Sequence, residues 1–123
     1  MDKVREFHEV AGLAIDEKHS IELINFRMQL IFEEVKELAE AAVILSNSQD
    51  LNEIPVLLQD MLKEMCDVVY VIKGTAVSLG LNFDKAYDLV HKANMTKLPF
   101  TKNEVGKIVK GPNYKPAVLE ECI

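Results

Sequence analysis

Two helical runs of about 25 residues each, joined by a short polar turn, constrain this chain more than any other feature of its sequence. In the first, roughly Ile21 to Leu45, the residues Met28, Ile31, Val35, Leu38, Ala42 and Leu45 recur at spacings of three and four. In the second, roughly Ile54 to Leu79, Leu58, Leu62, Met65, Val69, Ile72, Ala76 and Leu79 do the same. Each stripe is expected to be core. Ser20 suits the N-cap of the first run, and the turn cluster Ser46-Asn47-Ser48-Gln49-Asp50 ends it. Pro55 suits the first turn of the second run, and Gly80 stops it. So short a connection forces the two helices antiparallel.

Acids are set into these runs where apolar residues are expected. Counting about 100° per residue, Glu33 and Glu40 fall opposite the first stripe, on the face where charge belongs. Glu34 and Glu37 instead share a flanking band with Leu23, Leu30, Ala41 and Ile44. On the second run Glu64 shares a band with Leu57, Val68, Val71 and Thr75, and Asp67 sits at its edge. Carboxylates one turn apart on a half-buried face repel each other and resist desolvation, and a divalent cation relieves both problems. Antiparallel packing lets Glu34, Glu37, Glu64 and Asp67 converge on one point, a donor set that suits a hard, oxygen-seeking cation. The plainer reading, a solvated acidic face, fits Glu33 and Glu40 but not the band placement that occurs twice.

The rest of the chain extends a helical plan. Val4, Phe7, His8 and Ala11 mark a short first helix ending at Gly12, and Asn82 caps a fourth helix carrying Phe83, Ala86, Leu89, Val90 and Ala93. Gly74, inside the second long run, points to close packing or a bend. Residues 99–123 hold Gly106, Gly111, Pro112 and Pro116 and read as an ordered loop or tail. The expectation is one all-α domain over residues 1–123, a four- to five-helix bundle with its helical core in residues 1–98. Helices of about 25 residues are near 37 Å long, about twice the first and fourth, so a single chain cannot cover both. The bundle is expected to be completed by oligomerisation, as a homodimer or homotetramer.

Net charge of −6 disfavours duplex nucleic acid as a partner, and no apolar run is long enough to span a membrane. The amino-terminal residues lack a signal-peptide pattern, so a cytoplasmic location is expected. Cys66 and Cys122 have neither disulfide nor zinc spacing and are expected as free thiols.

The motif Glu33-Glu34-x-x-Glu37 followed, after an interval, by Glu64-x-x-Asp67 resembles the signature of the all-α nucleoside triphosphate pyrophosphohydrolases, the MazG-like superfamily. Val4-Arg5-Glu6-Phe7-His8, Arg27, His91-Lys92-Ala93-Asn94-Met95-Thr96-Lys97-Leu98 and the Gly106-to-Pro116 segment are similar to its phosphoribosyl-ATP pyrophosphohydrolase-like branch. The resemblance implies a MazG-like fold and a metal-dependent hydrolase whose Mg²⁺ or Mn²⁺ is held by the acids. Its substrate would be a (deoxy)nucleoside triphosphate, attacked by water at the α-phosphorus to yield the monophosphate and pyrophosphate.

A triphosphate would be repelled by five acids unless cations bridged them, so the implied chemistry agrees with the charge pattern. Glu33 is the candidate catalytic base, with a second-metal ligand as the other reading. Asn94 is implied toward base or sugar, and Lys92 or Lys97 toward phosphate; alternatively Asn94 caps the fourth helix and the lysines complement its dipole. His8, with Phe7 and Phe26, lines a base pocket or belongs to the core. Arg27 reaches phosphate or pairs with Glu34 or another acid one turn away. Two other functions compete: phosphoribosyl-ATP hydrolysis in histidine synthesis, against which Val71 stands after Tyr70 where that enzyme type tends to have histidine, and a non-catalytic acidic bundle that binds a partner.

Overall fold

The computed structural model describes residues 2–17 and 20–123. It is all-α, with helices α1 (Lys3–Ala11), α2 (Ile21–Asn47), α3 (Ile54–Leu79) and α4 (Phe83–Met95). The short strands β1 (Thr101–Lys102) and β2 (Ile108–Val109) and a 3₁₀ turn at Glu120–Cys122 complete it. The helix ends follow local chemistry. Ser20 accepts the Leu23 N–H at 3.1 Å and Asn82 accepts that of Lys85 at 3.1 Å. Gly12 and Gly80 close α1 and α3 in the left-handed region, at φ 71° and 70°. The long helix runs slightly past its expected end, because Ser46 and Asn47 remain helical and Ser48 is the C-cap.

Two compact units result, divided between Gly80 and Leu81, so α4 groups with the residues that follow it. In the N-terminal unit, α3 packs against both α2 and α1. The segment after α1 runs along the end of α3: Asp16 and Glu17 donate their N–H groups to the Val77 and Ser78 carbonyls, both at 2.9 Å. Buried Ser78 donates its hydroxyl to the Ala14 carbonyl at 3.1 Å. Arg5 clamps Asp16 with two hydrogen bonds, at 2.8 and 3.1 Å.

The packing face of the long helices coincides with the expected stripes only in part. On α2 the covered residues are Leu23, Arg27, Leu30, Ile31, Glu34, Leu38, Ala41, Ala42 and Leu45, whereas Met28 and Val35 are exposed. On α3 they include Ile54, Leu57, Met61, Glu64, Val68, Val71 and Thr75 and the last three stripe residues Ile72, Ala76 and Leu79, while Leu58, Leu62, Met65 and Val69 stand 46–59% exposed. Each helix carries two apolar faces. Glu34 and Glu64 are covered within the contact, and the stripe is covered along part of each helix and exposed at Met28, Val35, Leu58, Leu62, Met65 and Val69.

The C-terminal unit also departs from a plain tail. Thr101 pairs with Val109 and Lys102 with Ile108 in an antiparallel hairpin. Its ends are tied down: the Thr96 hydroxyl accepts the Lys115 N–H at 2.8 Å, and Asn82 N–H donates to the Cys122 carbonyl at 2.8 Å. Lys85 pairs with Glu121 at 2.8 Å. Both cysteines are free, Cys66 exposed and Cys122 buried. Among the described residues, no helix is long and apolar enough to cross a membrane.

Candidate metal centre

Packed against each other, α2 and α3 bring half-buried Glu34 and Glu64 together with exposed Glu37. One carboxylate oxygen from each lies within 4.8 Å of the other two. Glu34 and Glu37 are one turn apart on α2, so both reach the same point, and α3 supplies Glu64 from the other side. Glu34 Oε2 and Glu64 Oε2 are each buried with no hydrogen-bond partner among the described residues. A buried, unpartnered carboxylate oxygen is costly, and two of them beside a third acid call for a cation.

The electrostatics agree. Burial raises the Glu34 pKa above the ordinary carboxyl range, and the charges of Glu37, Asp67 and Glu64, with a hydrogen bond to Glu37, push it in the same direction. Three carboxylates with no nitrogen or sulfur among them suit a hard divalent cation. The residues present fit such an ion.

Asp67, expected in the cluster, stands outside the triad. Asp67 is held by Lys63, one turn earlier on α3, at 2.7 Å, and Lys63 also lies 3.4 Å from Glu64 Oε1. The hydrogen bond and charge of Asp67 raise the Lys63 pKa. Lys63 was missed in the sequence reading, although its i,i+4 spacing to Asp67 was visible there. Glu33 is exposed and lines a shallow groove of about 450 Å³ on the outer side of α2 with Asn25, Met28, Gln29, Phe32 and Lys36.

Arg27 and His8, assigned to substrate from the sequence, are both interior. Arg27 is 3% and His8 2% exposed. The guanidinium neither pairs with Glu34 nor opens to solvent. Its Nε donates to the Thr75 hydroxyl at 3.3 Å and its Nη2 to the Val71 carbonyl at 3.1 Å, and burial lowers its pKa. His8 Nδ1 sits 2.9 Å from the Ala14 carbonyl, which makes Nδ1 the protonated nitrogen. A Cβ on Gly74 would overlap Arg27 Nη2 and stand 2.8 Å from His8 Nε2, so close packing, not a bend, explains this glycine. Phe7 meets Tyr70 edge-on at 5.6 Å.

In the C-terminal unit Asn94 lies within α4 with its side chain exposed, and Thr96 is the cap. Lys92 pairs with Asp88 at 3.1 Å. Lys97 holds its ammonium 6.0 Å from the Tyr114 ring.

No curated protein matches this sequence. A family model does, that of phosphoribosyl-ATP pyrophosphohydrolase, over residues 4–94. The matched span includes Glu34, Glu37 and Glu64 together with Arg27, His8 and Asn94, and takes in most of the chain. The convergence of three carboxylates and the extent of this match lead to one assignment: the chain belongs to the phosphoribosyl-ATP pyrophosphohydrolase family.

Proposed function

We propose that this protein is a metal-dependent nucleotide pyrophosphohydrolase that cleaves a (deoxy)nucleoside triphosphate to the monophosphate and pyrophosphate. The observation that carries the reading is the pair of buried, unpartnered oxygens of Glu34 and Glu64 facing Glu37. Glu34, Glu37 and Glu64 would hold Mg²⁺ or Mn²⁺, with Asp67 available once released from Lys63. The cation supplies charge neutralisation and polarisation at the phosphoryl oxygens. Glu33, exposed and one turn before Glu37, would accept the proton of the attacking water. Arg27 and His8 act from beneath, holding α1, α2 and α3 in register. Exposed Asn94 is assigned to base or sugar, and Lys97 and Lys92 to phosphate.

A second copy of the chain belongs to this reading. The outward stripe Leu58, Leu62, Met65 and Val69, with Phe26, Met28, Phe32 and Val35 of α2, is too apolar to remain in water, and another copy would cover it. A cytoplasmic location fits the same function. Phosphoribosyl-ATP is the second substrate candidate, and Val71 after Tyr70 counts against it.

Pyrophosphate release from a panel of nucleoside triphosphates and phosphoribosyl-ATP, with Mg²⁺ and with chelator, tests these assignments. Mg²⁺-dependent release from a triphosphate is expected. Release from phosphoribosyl-ATP alone would transfer the assignment to histidine synthesis, and no release from any nucleotide would overturn it.

A further inference from the structure

One cation already stands at the acids, the ammonium of Lys63. Its Nζ lies 2.7 Å from Asp67 Oδ2 and 3.4 Å from Glu64 Oε1. Glu64 is thereby divided: Oε1 faces the lysine, while Oε2 is buried without a hydrogen-bond partner among the described residues. Asp67 is committed to the ammonium, yet its charge still reaches Glu34, whose pKa it helps to raise. The fourth carboxylate is beside the triad but not in it.

Helix support does not account for this pairing. An acid placed four residues before a lysine stabilises a helix better than the order found here, with Lys63 first and Asp67 after it. Nor does burial require it, since the Lys63 side chain is 65% exposed and has water within reach. What holds it is the charge of the acids. The contact with Asp67 is a charge-assisted hydrogen bond, and a divalent cation at the triad would work against it twice. The two cations repel, and an Asp67 oxygen given to the metal is taken from the lysine.

We propose that Lys63 is a positioning residue that sets the divalent-cation affinity of the carboxylate centre by holding Asp67 out of the triad. The inference rests on the metal-dependent reading for the identity of the ligand, and adds to it a residue that touches neither metal nor nucleotide. Lys63 acts through Asp67. Removing its ammonium frees that carboxylate and deletes a repelling charge, so the centre should bind a cation more tightly, the opposite of what the loss of a ligand does.

Binding of Mn²⁺ to the full chain, followed by loss of the free ion's electron paramagnetic resonance signal at about 0.15 M salt, tests this without turnover. Lys63→Gln is expected to bind Mn²⁺ about fivefold more tightly than wild type, and Lys63→Arg, which keeps the charge, to stay within about twofold. Lys36→Gln removes an equal charge next to Glu37, from a lysine 4.0 Å from Glu40. It is expected to change the affinity by less than about twofold. In an Asp67→Asn background the gain from Lys63→Gln should shrink to about twofold or less, because the coupling runs through that carboxylate. Equal or weaker binding by Lys63→Gln, in a wild type that binds Mn²⁺, would overturn the inference and leave the metal centre standing. So would an equal gain in Lys36→Gln, or a gain undiminished by Asp67→Asn. Mn²⁺ bound by neither wild type nor Lys63→Gln would sink the metal centre itself, and the inference with it.

Discussion

The Arg27 guanidinium lies against the backbone of Gly74, leaving no room for a Cβ between them. Hydrogen bonds to Thr75 and Val71 keep it from retreating. Alanine improves helix propensity by about 1 kcal/mol over glycine. Gly74→Ala should nevertheless destabilise the protein by about 1–3 kcal/mol, because forced overpacking in a hydrogen-bonded interior outweighs that gain. Urea unfolding measures the difference, and a variant as stable as wild type would show that the guanidinium has somewhere else to go.

Glu34 connects pH to stability. Its raised folded-state pKa means that the folded chain holds the proton more tightly than the unfolded one. The stabilisation is fully present below the unfolded carboxyl pKa and is lost as pH rises through the folded value. In chelator, Glu34→Gln should therefore melt above wild type at neutral pH, and the gap should close as the solution is acidified. Added Mg²⁺ should raise the wild-type melting temperature and move the variant much less. Thermal scans across pH, with and without Mg²⁺, read both effects; a variant that melts below wild type at neutral pH in chelator would contradict the burial argument.

The acids of α2 should separate kinetically. Glu34→Gln removes a cluster oxygen and should raise the Mg²⁺ concentration needed for half-maximal rate. Glu33→Gln should lower kcat by about 10²–10⁴ while leaving that concentration nearly unchanged. Glu40, exposed and 4.0 Å from Lys36, should tolerate Gln with little effect. Mg²⁺ titrations at saturating nucleotide decide the matter, and a Glu40 variant as damaged as that of Glu34 would refute the assignment of the cluster.

Leu62 is 59% exposed on the outward stripe of α3. Wild type is expected to scatter light as a dimer or tetramer at micromolar concentration. Leu62→Glu places a charge in that contact and should shift the protein toward monomer, while leaving the α2–α3 contact face intact. A folded wild-type monomer would show that the stripe stays uncovered.

Much of the plan was legible before the structure. Helix starts and stops depend on chemistry within a few residues, so Ser20, Asn82, Pro55, Gly12 and Gly80 marked the ends of helices nearly where they occur. The convergence of Glu34, Glu37 and Glu64 was also readable, since helical angles place all three in bands flanking the apolar stripes. The β1–β2 hairpin was not, because each strand is two residues long and carries no period to detect.

By itself, then, the sequence determined the four helices, their ends and which acids share a side of each long helix, because these depend on neighbours one turn away. Only the tertiary structure decided which part of each apolar surface is covered on α2 and α3. Periodicity ranks faces by apolarity and selected Ile31, Leu38, Ala42, Leu45, Ile72, Ala76 and Leu79, which are covered, together with Met28, Val35, Leu58 and Leu62, which stand exposed, while Glu34 and Glu64 of the flanking bands enter the contact. The same contact buried Arg27 over Gly74 and drew Asp67 to Lys63. The reason is physical: a helix presents its faces in fixed angular order, but which face is covered depends on where the partner helix lies, and no local spacing encodes that position.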